Sequence, residues 1–156
     1  MRNISDIIEG YLKQVLELGG EGHIEIKRSE IADKFQCVPS QINYVINTRF
    51  TAERGYLVES KRGGGGYIRI LRVRANSQID LIDDVLLQIE GGASQTVAEG
   101  LVYRLIDEQV ISKREAKLML AAVDRSTLDL QLPLRDSIRA KILRAMLTTI
   151  KYEKQK

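Results

Sequence analysis

Four consecutive glycines, Gly63 to Gly66, interrupt the stretch "GYLVESKRGGGGYIRILRV" between two segments that alternate apolar and polar residues. Glycine loses more backbone freedom on ordering than any other residue, about 0.5–1 kcal/mol each relative to alanine within a regular element. No helix or strand therefore runs through this point. The flanking segments, "GYLVES" and "YIRILRV", keep the period of two that marks strands. Together they read as a β-hairpin with Lys61 to Gly66 at its tip.

Upstream of the hairpin the pattern is mostly helical. "SDIIEGYLKQVLEL" spaces Ile7, Ile8, Tyr11, Leu12, Val15 and Leu16 as one helical face, with Ser5 as the expected N-cap and Gly19-Gly20 as the stop. "GHIEIKRS" alternates as a short strand. Ser29 is the expected cap of a helix over "EIADKFQ", and Pro39 opens another, "PSQINYVINTRF". On this last helix Ile42, Val45, Ile46 and Phe50 share a face, leaving Ser40, Gln41, Asn43, Tyr44, Asn47 and Thr48 for the others. Two short helices joined by a tight turn, then a strand, a glycine loop and a strand, have the order of a winged helix-turn-helix.

From Ser77 onward only helical patterns occur. The segments "SQIDLIDDVLLQIE", "SQTVAEGLVYRLIDEQV" and "SKREAKLMLAAV" are followed by a helix starting near Pro133, with Ile138, Ile142, Ala145, Met146 and Ile150 on one stripe. Ser112 and Glu115 stand three apart, the spacing of a capping box. The predicted class is mainly α with a small β wing. Residues 1–74 form a winged helix-turn-helix domain, and residues 75–156 a four-helix domain whose broad apolar faces suit dimerisation.

Charge separates the same two halves. Between Arg49 and Arg74, Arg49, Arg54, Lys61, Arg62, Arg69, Arg72 and Arg74 are opposed only by Glu53 and Glu59, an excess of +5, although the whole chain carries only +3. Beyond Arg74 acids and bases cancel. A basic field concentrated on one module fits a nucleic-acid partner.

Several classes of function are disfavoured. One cysteine, Cys37, excludes an internal disulfide, and with one histidine, His23, it cannot supply a usual four-ligand zinc site. "RGGGGY" lacks both the Walker Gly-Lys-Ser/Thr ending and the strand-to-helix setting of a dinucleotide loop. No nucleophile–base pair is marked, and Asp83-Asp84 reads as a solvated helix face. The chain is not read as an enzyme, and no cofactor or metal is expected. No apolar run reaches the ~20 residues that cross a bilayer, and "MRNISDIIEG" has acids where a signal peptide has its hydrophobic core. A cytoplasmic protein with no membrane partner is expected.

For DNA, asparagine and glutamine can bridge adenine N6 and N7, and serine or threonine can reach base edges or phosphates. A recognition helix leads with its N-terminal end, so Ser40, Gln41, Asn43 and Tyr44 are the expected base readers, with Asn47 and Thr48 behind them and Arg49 on phosphate. Arg28 either contacts phosphate or solvates a turn. At the wing, Gly63, Gly64, Gly65 and Gly66 have no Cβ and permit close approach to the backbone of DNA. Lys61, Arg62 and Tyr67 flank them, and Arg62 is expected in a minor groove narrowed by A/T-rich sequence.

The segments "IEIKRSEIADKFQCVPSQINYVINTRF" and "ERGYLVESKRGGGGYIRI", together with the helical half, resemble the CtsR repressors of class III heat-shock genes in low-GC Gram-positive bacteria. The likeness covers essentially the whole chain. It implies a homodimer that binds a directly repeated operator at clp protease and chaperone genes and is released by heat through the wing. It also implies a protein arginine kinase and its activator as partners, with Arg62 as the phosphorylated position, and the Clp unfoldase and protease as the route of degradation. A second reading keeps the winged-helix DNA site but has the C-terminal half sense a small molecule.

Overall fold

The computed structural model describes residues 3–19, 22–60 and 66–155. Lys61, Arg62, Gly63, Gly64 and Gly65 of the expected wing lie outside the described residues. Two compact units are present, Met1–Arg74 and Ala75–Lys156.

The first unit runs α1 (Ile4–Leu18), β1 (His23–Lys27), α2 (Arg28–Lys34), α3 (Pro39–Arg49), β2 (Tyr56–Ser60) and β3 (Tyr67–Arg72). In α1 the buried stripe is Ile8, Leu12 and Leu16, one residue per turn, while Ile7 is 45% exposed. The helix begins two residues earlier than Ser5 would have it. Asn3 is the N-cap, accepting from the Asp6 amide at 2.9 Å, and Ser5 is buried. Ser29 does not cap α2 either, because the helix already includes it; Lys27 occupies the cap position and makes no side-chain cap bond.

The strands form an antiparallel sheet in the order β1-β3-β2. Register explains which side chains face the core. Ile68 pairs with Ile26 and Ser60, and Ile70 with Ile24 and Val58, so alternate residues of β3 turn toward the three helices. Between those rows Arg69 stands opposite Glu25 on one side and Glu59 on the other, an opposite-charge row on the outer face. Phe50 and Tyr56 meet edge to face at 4.8 Å, closing the joint between α3 and β2.

Among the described residues the second unit has five helices, not four: α4 (Gln78–Gln88), α5 (Gln95–Asp107), α6 (Lys113–Val123), α7 (Arg125–Leu128) and α8 (Leu134–Gln155). The extra element, α7, is a single turn capped by Asp124, too short to leave a periodic pattern. The capping box of Ser112 and Glu115 is formed in both directions, at 3.0 and 2.8 Å.

The last helix is long and turned from its expected orientation. Its buried residues are Arg139, Ala140, Leu143 and Leu147, whereas Ile142, Met146 and Ile150 are only partly covered and Ala145 is exposed. The buried stripe is displaced by one position because it includes an arginine. Arg139 Nε donates to the Val123 carbonyl at 2.8 Å, and Nη1 donates to the Ala93 carbonyl at 2.9 Å and to Asp136 at 2.7 Å. These bonds offset the desolvation of a cation that is 0% exposed.

No group of three or more His, Cys, Asp or Glu side chains suited to a metal occurs among the described residues, and no helix there is long and apolar enough to cross a membrane.

Candidate nucleic-acid interface

Pro39 at the first helical position sets the start of α3, and Ile42, Val45 and Ile46 anchor the helix in the core. The 3.6-residue period then puts Ser40, Asn43, Tyr44, Asn47 and Thr48 on one exposed stripe, at spacings of three and four. A major groove admits an α-helix, so a polar helical face of this kind can meet base edges there. Tyr44 is 54% exposed, and the Thr48 hydroxyl donates back to the Tyr44 carbonyl at 2.7 Å.

Gln41 and Arg49 lie on a different flank. Gln41 Nε2 donates to Ser5 Oγ at 2.8 Å, and Arg49 Nη1 donates to Asp6 at 2.9 Å and Glu9 at 2.7 Å. Both side chains fasten α3 to α1. Arg49 is thus partnered within the domain, which differs from its expected place on phosphate. Part of the basic excess is compensated in the same way: Arg54 comes within 3.9 Å of Glu9 and Arg69 within 4.0 Å of Glu59.

Burial alone would raise the Glu9 carboxyl, but hydrogen bonds and charges from Lys13 and Arg49 outweigh it and hold the group below its ordinary 4.5. A depressed folded-state value stabilises the fold above the unfolded pKa, and this contribution is lost as pH falls through the folded value. Arg49→Gln is therefore expected to cost about 1–2 kcal/mol at neutral pH, since the pair is partly exposed. The gap between native and variant should close as pH falls through the depressed folded-state value of Glu9. Urea titrations at several pH values measure it.

Arg28, left open between two roles by the sequence, has a defined position. Its amide donates to the Gly66 carbonyl at 3.2 Å, Nε to Asn43 Oδ1 at 2.5 Å, and Nη2 to Ser60 Oγ at 3.2 Å. One residue thus bridges the exposed stripe of α3 and both strands at the base of the wing. Neither Ser60 nor Lys27 stood out in the sequence, yet both belong here; the Lys27 ammonium lies 5.8 Å from the centroid of Tyr67. A polar residue late in a strand carries no signal until its cross-sheet neighbour is known.

Gly66 enters β3 with φ of +90°. A Cβ there would meet only Arg28 atoms at 3.9 Å, ordinary contact, so the requirement for glycine is conformational and not steric. Gly66→Ala is expected to destabilise the unit by about 1–3 kcal/mol, from backbone strain alone. Thermal melting detects it.

A second exposed surface lies in the helical unit. Glu115, Leu118, Met119, Met146, Thr149 and Ile150 line a mostly apolar groove of about 340 Å³ between α6 and α8, with Leu118 65% exposed.

Comparison with known proteins matches both units. The family described as CtsR N-terminal HTH domain matches residues 3–74, and that described as CtsR C-terminal dimerization domain matches residues 77–148. A transcriptional regulator CtsR of Geobacillus stearothermophilus is 63% identical, over 98% of this chain and 100% of its own. That of Bacillus subtilis (strain 168) is 60% identical, over 97% and 98%. A crystal structure of CtsR in complex with a 26bp DNA duplex superposes with a TM-score of 0.81 at 63% identity, covering 96% of this chain and 99% of that one.

Proposed function

The chain belongs to the CtsR family of transcriptional regulators, which are not enzymes, and on that premise we propose that it is a dimeric, sequence-specific DNA-binding repressor of heat-shock genes. The observation that carries this reading is the exposed stripe of Ser40, Asn43, Tyr44, Asn47 and Thr48, joined through Arg28 to the base of the wing. The helix reads base edges in the major groove while the wing follows the backbone into the adjacent minor groove. The relative bound to a DNA duplex supports this assignment.

Two copies occupy a directly repeated operator at clp protease and chaperone genes in the cytoplasm. We assign the groove between α6 and α8 to the second copy, because a thin core with an exposed Leu118 gains stability by covering it. Leu118→Glu is expected to shift sedimentation toward monomer and to weaken operator binding at least tenfold through loss of the paired contact. An unchanged dimer would place the interface elsewhere.

Release has two routes. A protein arginine kinase with its activator phosphorylates Arg62, converting a cationic donor into an anion beside the DNA backbone, and the Clp unfoldase and protease remove the modified protein. Heat acts through the wing and what it is attached to. Melting about ten residues, at ~2.1 cal/mol/K each, yields only ~0.3 kcal/mol over ~15 K; loosening about 70 residues yields ~2 kcal/mol, roughly thirtyfold in binding. The wing therefore starts the opening and a larger cooperative unit gives it steepness.

Fluorescence anisotropy on an A/T-rich, directly repeated duplex at two temperatures about 15 K apart tests the reading. Tight binding that weakens steeply on warming is expected. Tight binding at both temperatures would favour a ligand or arginine modification as the signal.

A further inference from the structure

We propose that Lys27 is a phosphate contact of the DNA, held in place by the ring of Tyr67, so that Tyr67 serves the interface as a positioning residue and not through its hydroxyl. This rests on the wing entering the minor groove beside the major groove that α3 occupies. Charge points to Lys27 first. Arg49, Arg54 and Arg69 each have a carboxylate within 4.0 Å. A cation matched in this way gains less from a phosphate, because its carboxylate repels the same phosphate. The Lys27 ammonium makes no ion pair among the described residues. Glu25, two positions back on β1, stands opposite Arg69 in the sheet register.

The sheet fixes where this charge lies. Ile26 is buried, so the alternation of β1 turns Lys27 to the outer face. Its register partner there is Tyr67, 38% exposed, and the ammonium lies 5.8 Å from the centroid of that ring. Tyr67 opens β3 directly after Gly66. Arg28, directly after Lys27, is tied through its amide to Gly66 and through its guanidinium to Ser60 and Asn43. The pair therefore sits at the base of the wing, on the side away from the helices. A wing inside a minor groove has a sugar–phosphate wall on each side. The inner wall separates it from α3, and the outer wall passes Lys27. An aromatic face attracts the ammonium through its quadrupole without neutralising it, so the three N–H donors and the full charge stay available for phosphate. That attraction needs the ring alone.

Anisotropy titrations of the full-length chain, on the A/T-rich repeated duplex and on a scrambled one, between about 50 and 200 mM salt, test this. Lys27→Gln should reduce the magnitude of the salt slope by about 0.9 on both duplexes, so that its deficit against native protein shrinks about threefold across that range. Lys27→Arg, which keeps the charge and the attraction to the ring, should retain the native slope. Tyr67→Phe should bind as native protein does, whereas Tyr67→Leu should lose about two- to fivefold. In the Lys27→Gln background Tyr67→Leu should cost nothing further, the non-additivity of residues that act together. An unchanged slope in Lys27→Gln would overturn the proposal whatever the variant's stability, since partial unfolding removes active protein without altering the slope of the rest. A loss in Tyr67→Phe equal to that in Tyr67→Leu would give the hydroxyl its own contact with DNA, and additive losses would give the ring one; either overturns the pairing. Native protein that binds neither duplex would remove the DNA-binding reading itself, and this contact with it.

Discussion

Ser40→Asp is expected to leave the N-terminal unit as stable as before, or slightly more so, while weakening operator binding by about 2–3 kcal/mol, roughly 30- to 150-fold. Ser40 is exposed in the first turn of α3, where the helix dipole favours a carboxylate by about 0.3–1 kcal/mol. On the proposed binding mode the same carboxylate removes the serine donor and adds a charge that the DNA polyanion repels. Stability and affinity move in opposite directions, which no general loss of folding can imitate. Melting and anisotropy on one preparation measure both. Equal affinity for native and variant would remove the first turn of α3 from the interface.

Arg139→Met should have the largest effect on the C-terminal unit. The methionine side chain fills similar space but withdraws the donors that satisfy the Val123 and Ala93 carbonyls. Each unsatisfied buried carbonyl costs about 1–3 kcal/mol. Nη2 has no partner among the described residues, so deleting the guanidinium also relieves one unpaired group. A net loss of about 2–4 kcal/mol is expected. Arg139→Lys should rescue little, because a single ammonium cannot reproduce the planar fork that reaches the end of α6 and the segment before α5 together. Denaturant unfolding followed by circular dichroism reads the change, and a loss below about 1 kcal/mol would mean that the carbonyls find other donors.

The parts of the fold that depend on local pattern were legible in the sequence. Pro39 and the spacing of Ile42, Val45 and Ile46 define α3, and alternation through Ile68 and Ile70 defines β3. Residues whose role depends on a distant partner were not. Arg49 ends α3, where a cation suggests phosphate, but its acids stand on α1 some 40 residues earlier. Ser5 looked like a cap because serine favours that position, yet it is taken by Gln41 from another helix. Arg139 displaced the predicted stripe of α8 because a charged residue reads as solvated unless backbone carbonyls converge on it. Arg28 is the clearest case: "IKRSE" carries no hint that its side chain meets Asn43, 15 positions on, and Ser60, 32 positions on.

Chromatin immunoprecipitation of the native protein and of Ser40→Asp, before and after a heat shift of cells expressing them, would decide whether this chain is a heat-released repressor. Native protein should be enriched upstream of clp and chaperone genes at the growth temperature and lost from them on heating, with Ser40→Asp depleted at both. Enrichment at those genes that is equal for the two proteins, or absent for both, would contradict the account.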